Sequence, residues 1–252
     1  MIASLPMYDR PEISGAVASY WKLIHESLAD HGQSSPTTLT QDGEDVDTWL
    51  SPELCMCQTC GLPYRIWLHD KVGLVGTPDY ALDDCPPGFY RSVVVVHADD
   101  QRDTLEEFRT GTLAFNSLFS QSGYAALRNH LSTDTQWPEQ QTNTGSHQAS
   151  IQAIASGKAD IASIDAVTWR LAERYDKAAQ QLRVLTYTEA TPGLPYITVE
   201  HNDATLFFKA VKLAIDALSD TVRNQLGLRG LVFIDKSTYL AIPTPSDVLS
   251  RK

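Results

Sequence analysis

Ile2-Ala3-Ser4-Leu5 is short and largely apolar and predicts a buried strand. Behind it, Ile13, Val17, Tyr20, Trp21, Ile24 and Leu28 recur three or four residues apart. That spacing predicts an amphipathic helix over about residues 12–31, stopped by Gly32. Apolar runs at Leu54–Cys57 and Val72–Val75 bracket a helix expected around Pro63–Asp70. Strand alternating with helix argues for a largely parallel sheet covered by helices.

Tyr90–His97 contains Val93-Val94-Val95-Val96, an unbroken β-branched run and the strongest strand signal in the chain. A second alternating set follows it. A helix is expected near Thr104–Phe108, a strand at Thr112–Asn116, a helix opening at Ser122 and another over Ser146–Ala155 ahead of Gly157. A strand at Asp160–Ile164, a helix from Ala166 and a strand at Leu182–Leu185 complete the set. Thr191-Pro192-Gly193-Leu194-Pro195 interrupts the pattern, Tyr196–Val199 resumes it as a strand, and a long helix is expected at about Asp203–Ser219. The remaining tail is too short to be a domain. The economical arrangement is therefore two lobes, one from residues 1–90 and 196–252, the other from 91–195, joined by crossovers near Tyr90–Arg91 and Pro192–Pro195 that would act as hinges.

With 252 residues, 42% of them hydrophobic, the chain is long enough for one large or two modest domains. A net charge of −11 argues against a nucleic-acid partner, whose phosphates call for clustered Lys and Arg. It leaves an anionic small molecule open, because amide dipoles and hydroxyls in a buried site act locally. No stretch reaches the roughly 20 apolar residues of a membrane helix, so no membrane insertion is expected. The first ten residues have neither a basic region nor a long apolar run, so the expected location is the cytoplasm, or the periplasm if a leader has been removed. The four cysteines, Cys55, Cys57, Cys60 and Cys85, fall in one region. Because Cys55 and Cys57 lie in a strand-like run, buried thiols are expected in preference to a zinc site, and a Cys60–Cys85 disulfide only in an oxidising compartment. No cofactor is indicated.

The segment Phe115-Asn116-Ser117-Leu118-Phe119-Ser120-Gln121-Ser122-Gly123-Tyr124 runs off a predicted strand into a predicted helix. The first N–H groups of a helix lack internal partners and sit at the positive end of its dipole, which suits an anion. Ser120 and Ser122 add hydroxyls, and Gly123 lets backbone approach closely. Ser122 is thus either an anion donor or an N-cap. A second such junction is Asn143-Thr144-Gly145-Ser146-His147, where Ser146 is placed to cap and His147 either donates to an anion or lies on the surface. Asp165 ends a strand where open α/β sheets place their ligands, and either contacts a ligand or caps the next helix. Tyr8, Gln58 and Thr59 occupy the equivalent edge of the first lobe. No catalytic triad or paired catalytic carboxylates stand out.

Ser120-Gln121-Ser122-Gly123-Tyr124 resembles the Ser-Thr-Ser-Gly-Tyr turn of the phosphate/phosphonate-binding components of ABC transporters. Gly145-Ser146-His147-Gln148-Ala149-Ser150 resembles that family's Gly-Ser-His-Glu-Ala-Ser segment, and Ala159–Asp165 is similar to the strand that follows. The motifs come in family order, and a looser similarity extends over most of the chain. The resemblance implies a two-lobed type-2 periplasmic-binding-protein fold with a ligand cleft between the lobes and Ser120, Gln121, Ser122 and His147 around the anionic group. It also implies a transporter permease as partner. Gln121 departs from the family pattern, exchanging a hydroxyl donor for an amide. The function expected is reversible binding of phosphate, phosphonate or a similar oxyanion; the alternative is a cytoplasmic enzyme or ligand sensor on the same fold.

Overall fold

The computed structural model describes residues 1–40, 45–131 and 138–250. Its strands, in chain order, are β1 (Ile2–Ser4), β2 (Leu54–Gln58), β3 (Val72–Asp79), β4 (Phe89–Tyr90), β5 (Ser92–His97) and β6 (Thr112–Phe115). They continue with β7 (Gln140–Asn143), β8 (Ile161–Asp165), β9 (Leu182–Tyr187), β10 (Thr191–Pro192), β11 (Tyr196–Val199) and β12 (Gly230–Val232). The chain divides into two units. Met1–Phe89 with Pro192–Ala241 form the first, and Tyr90–Thr191 with the segment from Ile242 onward form the second.

The first unit holds a five-stranded sheet of order β1-β2-β11-β3-β12. β1 runs parallel to β2, whereas β11 is antiparallel to both β2 and β3, and β12 is antiparallel to β3. The amphipathic helix forms at Ser14–Asp30 and buries Ala16, Val17, Tyr20, Trp21, Ile24 and Leu28, the face its spacing predicts. Its neighbour, Ala204–Asp216, buries Phe207, Ala210, Val211, Ala214 and Ile215 at the same spacings, and Asp203 caps it by accepting from the Thr205 and Leu206 N–H groups. Trp49, Leu54, Tyr64, Leu68, Ile197 and Tyr239 form the apolar core beneath the sheet.

The second unit holds a five-stranded sheet of order β7-β6-β8-β5-β9. β6 is parallel to β7 and β8, and β5 is antiparallel to β8 and β9. Val93–Val96 are all at most 2% exposed, since β5 lies inside the sheet with both faces covered, and its register pairs Val93 with Ile164 and Val95 with Ala162. A continuous β-branched run is what such a doubly buried strand calls for. Phe108, Leu113, Leu127 and Ile161 pack against Val94 and Val96.

Two expectations need correction. Both sheets are mixed rather than largely parallel, because β5 and β11, the first full strands after each crossover, enter the middle of a sheet against the direction of their neighbours. The C-terminal segment from Ile242 groups with the second unit instead of the first. Pro243 and Pro245 prevent the helix ending at Leu240 from continuing, and the segment is held by Asn129 Nδ2 donating to Pro243 O (2.9 Å), by the Tyr124 hydroxyl donating to Asp247, and by fully buried Val248. β7 was not anticipated: Gln140-Gln141-Thr142-Asn143 is exposed throughout and shows no apolar alternation, as an edge strand can.

Candidate functional site

In the second unit, β6 ends at Phe115 and the chain turns into a helix at Gln121, not at the expected Ser122. Ser120 is the N-cap: its Oγ accepts from the Gly123 N–H at 3.0 Å. The first turn is wide, with the Ala125 N–H reaching back five residues to Ser120 O (3.1 Å), and it runs directly into the Ala126–His130 helix. Wide turns of this kind recur at functional positions in helices. This frees Ser122 from capping. Its carbonyl accepts from Ser92 Oγ (3.0 Å) on β5 and from Ser163 Oγ (2.6 Å) on β8, which fixes the turn to two strands of the sheet. Its hydroxyl lies 2.9 Å from His147 Nε2.

His147 opens the His147–Ala155 helix, where Ser146 is the N-cap and accepts from the Ala149 N–H at 3.0 Å. Thr144 holds this second junction against the first. Its N–H and Oγ donate to Phe115 O (2.8 and 3.0 Å), and its Oγ is 2.6 Å from Ser150 Oγ. Gly123 sits where the two junctions meet. A Cβ added there would lie 1.8 Å from Asn116 Oδ1 and 3.1 Å from His147 Cε1, so only glycine fits without displacement.

Desolvation pushes His147 down to about 4, so its ring is neutral near pH 7 and carries one proton. With the Ser122 hydroxyl donating to Nε2, that proton sits on Nδ1. Nδ1 is itself buried with no hydrogen-bond partner, and so is Asn116 Oδ1. Buried polar atoms are nearly always satisfied, so two such orphans around one glycine make this junction the candidate site. Asn116 was missed among the expected site residues; its signal was its position just after the carboxyl end of β6. Ser92 and Ser163 were missed too, and were visible only as hydroxyls within apolar strands.

Gln121 is buried within the first turn, and Asp165 is buried at the end of β8. Asp165 Oδ1 accepts from the Val167 and Thr168 N–H groups (2.7 and 3.1 Å), so one of its oxygens serves as the cap of the Ala166–Tyr175 helix. Asp165→Ala is expected to lower stability by about 1–2 kcal/mol, read by urea denaturation. An unchanged midpoint would show that the cap contributes nothing.

The other three expected residues belong to the first unit. Tyr8 lies in a Pro6–Tyr8 turn with its ring 5.0 Å from that of Tyr80. Gln58 Nε2 donates to Leu194 O at 3.2 Å. Thr59 is fully buried; its N–H donates to Pro195 O at 3.0 Å, while its Oγ has no partner.

Cys55 and Cys57 are buried, and burial pushes the Cys55 thiol up to about 11. Among the described residues, no group of three His, Cys, Asp or Glu side chains could hold a metal, and no helix is long and apolar enough to cross a membrane.

No curated protein matches the sequence. Among solved structures, the chain is similar to PhnD1 from Prochlorococcus marinus in complex with methylphosphonate, at 14% identity and a TM-score of 0.70 over 99% of this chain and 97% of that one. XAC2383 from Xanthomonas citri bound to ATP matches at 13% identity and a TM-score of 0.69, over 100% and 97% of the two chains. A binding protein component of an ABC phosphonate transporter from Pseudomonas aeruginosa matches at 15% and 0.65, over 95% and 82%. These likenesses are of fold: type-2 periplasmic binding proteins. A family model matches the sequence itself over residues 75–239, a span that contains both helix junctions. The chain therefore belongs to the ABC-transporter phosphonate periplasmic substrate-binding protein family.

Proposed function

We propose that this protein binds a small phosphonate or phosphate oxyanion at the paired helix starts of its second unit and delivers it to an ABC-transporter permease. The observation that carries the reading is the 2.9 Å link between Ser122 Oγ and His147 Nε2, which joins two helix N-termini at one point beside Gly123. Helix starts offer N–H groups without internal partners, and a neutral His147 with its proton on Nδ1 offers one more donor without the desolvation cost of a buried cation. Ser120 holds the turn, Gln121 and Ser122 present it, and Ser146 orders the second helix start. Tyr8, Gln58, Thr59 and Asp165 are assigned to the ligand's remaining atoms. Binding and release require no nucleophile and no cofactor.

Calorimetric titration of methylphosphonate into wild type and His147→Ala tests the site. Losing one charge-assisted hydrogen bond is expected to weaken binding by about ten- to a hundredfold. Equal affinities in the two proteins, or no binding of methylphosphonate or phosphate by wild type, would reject it.

A further inference from the structure

The Gln121–Ala125 turn is fixed to the sheet at Ser122, and the C-terminal segment grips the same turn at Tyr124. Tyr124 lies two residues beyond Ser122, about half a turn round the helix axis, so its side chain leaves the turn on another side. It is 2% exposed, and its hydroxyl donates to Asp247 Oδ2. A buried phenol needs a partner, and a carboxylate is among the strongest acceptors available to it. The Tyr124 ring also packs 5.2 Å from that of Phe115, whose carbonyl receives the Thr144 N–H and hydroxyl. Tyr124 therefore touches both helix junctions: its backbone belongs to the first, and its ring rests on the residue that holds the second.

Asp247 is itself presented rigidly. It sits in the one-turn Ser246–Leu249 helix, which Pro245 precedes and whose Val248 is fully buried. Its Oδ1 accepts from the Val248 N–H at 3.2 Å, which leaves Oδ2 for Tyr124. On the helix that the turn runs into, Asn129 Nδ2 donates to Pro243 O at 2.9 Å. The segment thus holds one continuous helical stretch at two points. Asn129 alone would dock the tail; the Tyr124 link adds a constraint on the turn itself.

We infer that Asp247 is a positioning residue for the anion site: through Tyr124, the C-terminal segment sets where the Gln121–Ala125 turn presents Ser122 to His147 and to the ligand. This rests on the reading of the two junctions as the anion site. Neither Asp247 nor Tyr124 needs to touch the anion. Ser92 and Ser163 hold the turn at one carbonyl, about which it can still tilt. A second anchor two residues on removes that freedom before the ligand arrives, so less ordering is left to be done on binding.

Calorimetric titration of methylphosphonate into the full-length protein tests this. Tyr124→Phe keeps the ring and removes only the donor, so folding is not at risk, and Asp247→Ala removes the acceptor. Each is expected to weaken binding about tenfold, and the double variant no more than either alone, because the two side chains act as one link. Asp247→Asn keeps an oxygen that can accept from the hydroxyl and should stay within about threefold of wild type. Asp203→Ala is the control for stability loss. It uncaps the Ala204–Asp216 helix of the first unit, should lower the urea midpoint at least as far, and should bind as wild type does. Wild-type affinity in Tyr124→Phe and Asp247→Ala, additive losses in the double variant, or an equal loss in Asp203→Ala would overturn the inference.

The ligand-free, isotopically labelled protein separates that failure from failure of the anion reading. Imidazole nitrogen shifts of His147 report its link to Ser122, and are expected to move in Tyr124→Phe and Asp247→Ala but not in Asp203→Ala. If wild type binds neither methylphosphonate nor phosphate while those shifts move, the anion reading falls and Asp247 still positions the Ser122–His147 link. Unmoved shifts overturn the positioning role whatever binds.

Discussion

Gly123→Ala will bind methylphosphonate at least about a hundredfold more weakly than wild type and will unfold about 1–3 kcal/mol more easily. The Cβ has nowhere to go. It would stand 1.8 Å from Asn116 Oδ1 and 2.9 Å from its Cγ, so the Asn116 side chain must swing away, and at 3.1 Å from His147 Cε1 it also presses on the ring. Asn116 is a short side chain just after β6, so rotation relieves part of the clash but takes its Oδ1 away from the site. The turn cannot retreat instead, because the Ser122 carbonyl is held by hydroxyls of Ser92 and Ser163 and Ser120 caps the turn through the Gly123 N–H. The strain therefore falls on the Ser122–His147 link, and positioning errors of a few tenths of an ångström at several donors at once multiply. Paired urea denaturation and calorimetry decide the matter. An affinity within threefold of wild type would show that these two junctions do not form the anion site, whatever the change in stability.

Stability should fall on acidification through His147. Its pKa is about 4 in the folded chain, against about 6.5 when exposed in the unfolded one. Between those values the unfolded chain holds a proton that the folded chain does not, so lowering the pH favours unfolding. The contribution is fully present above about pH 6.5 and is lost progressively as the pH falls toward 4. At about 1.4 kcal/mol per tenfold in proton affinity, the loss is about 2–3 kcal/mol by pH 4.5. His147→Gln has no ring to titrate and should show a correspondingly flatter profile over the same window. Unfolding free energies measured for both proteins at pH 7.5 and 4.5 test this; identical slopes would place the acid sensitivity elsewhere. The same neutrality shapes binding. In the proposed site the positive potential comes from N–H dipoles and hydroxyls, so an anion would enter a chain of net charge −11 without a buried cation.

Much of the fold was legible in the residues because each signal was local. Val93–Val96 predicted a strand, Val17, Tyr20, Trp21, Ile24 and Leu28 gave the buried face of the Ser14–Asp30 helix except for Ala16, and Gly32, in the left-handed conformation at φ +74°, marks its end. Sequence also placed Ser120, Ser122, Ser146, His147 and Asp165 at strand ends and helix starts, since capping and dipole effects act within one turn. Other features depend on segments far apart in the chain. The antiparallel entry of β5 and β11 is a matter of chain direction, to which apolar periodicity is blind. Which serine caps was decided by the i+5 bond from Ala125 to Ser120, which moved the helix start one residue upstream and released Ser122 for His147. The anchoring of Ser122 by Ser92 and Ser163 and its link to His147 join residues 25 to 41 positions apart. Local propensity carries no information about such pairings, and only the close-packed interior selects them.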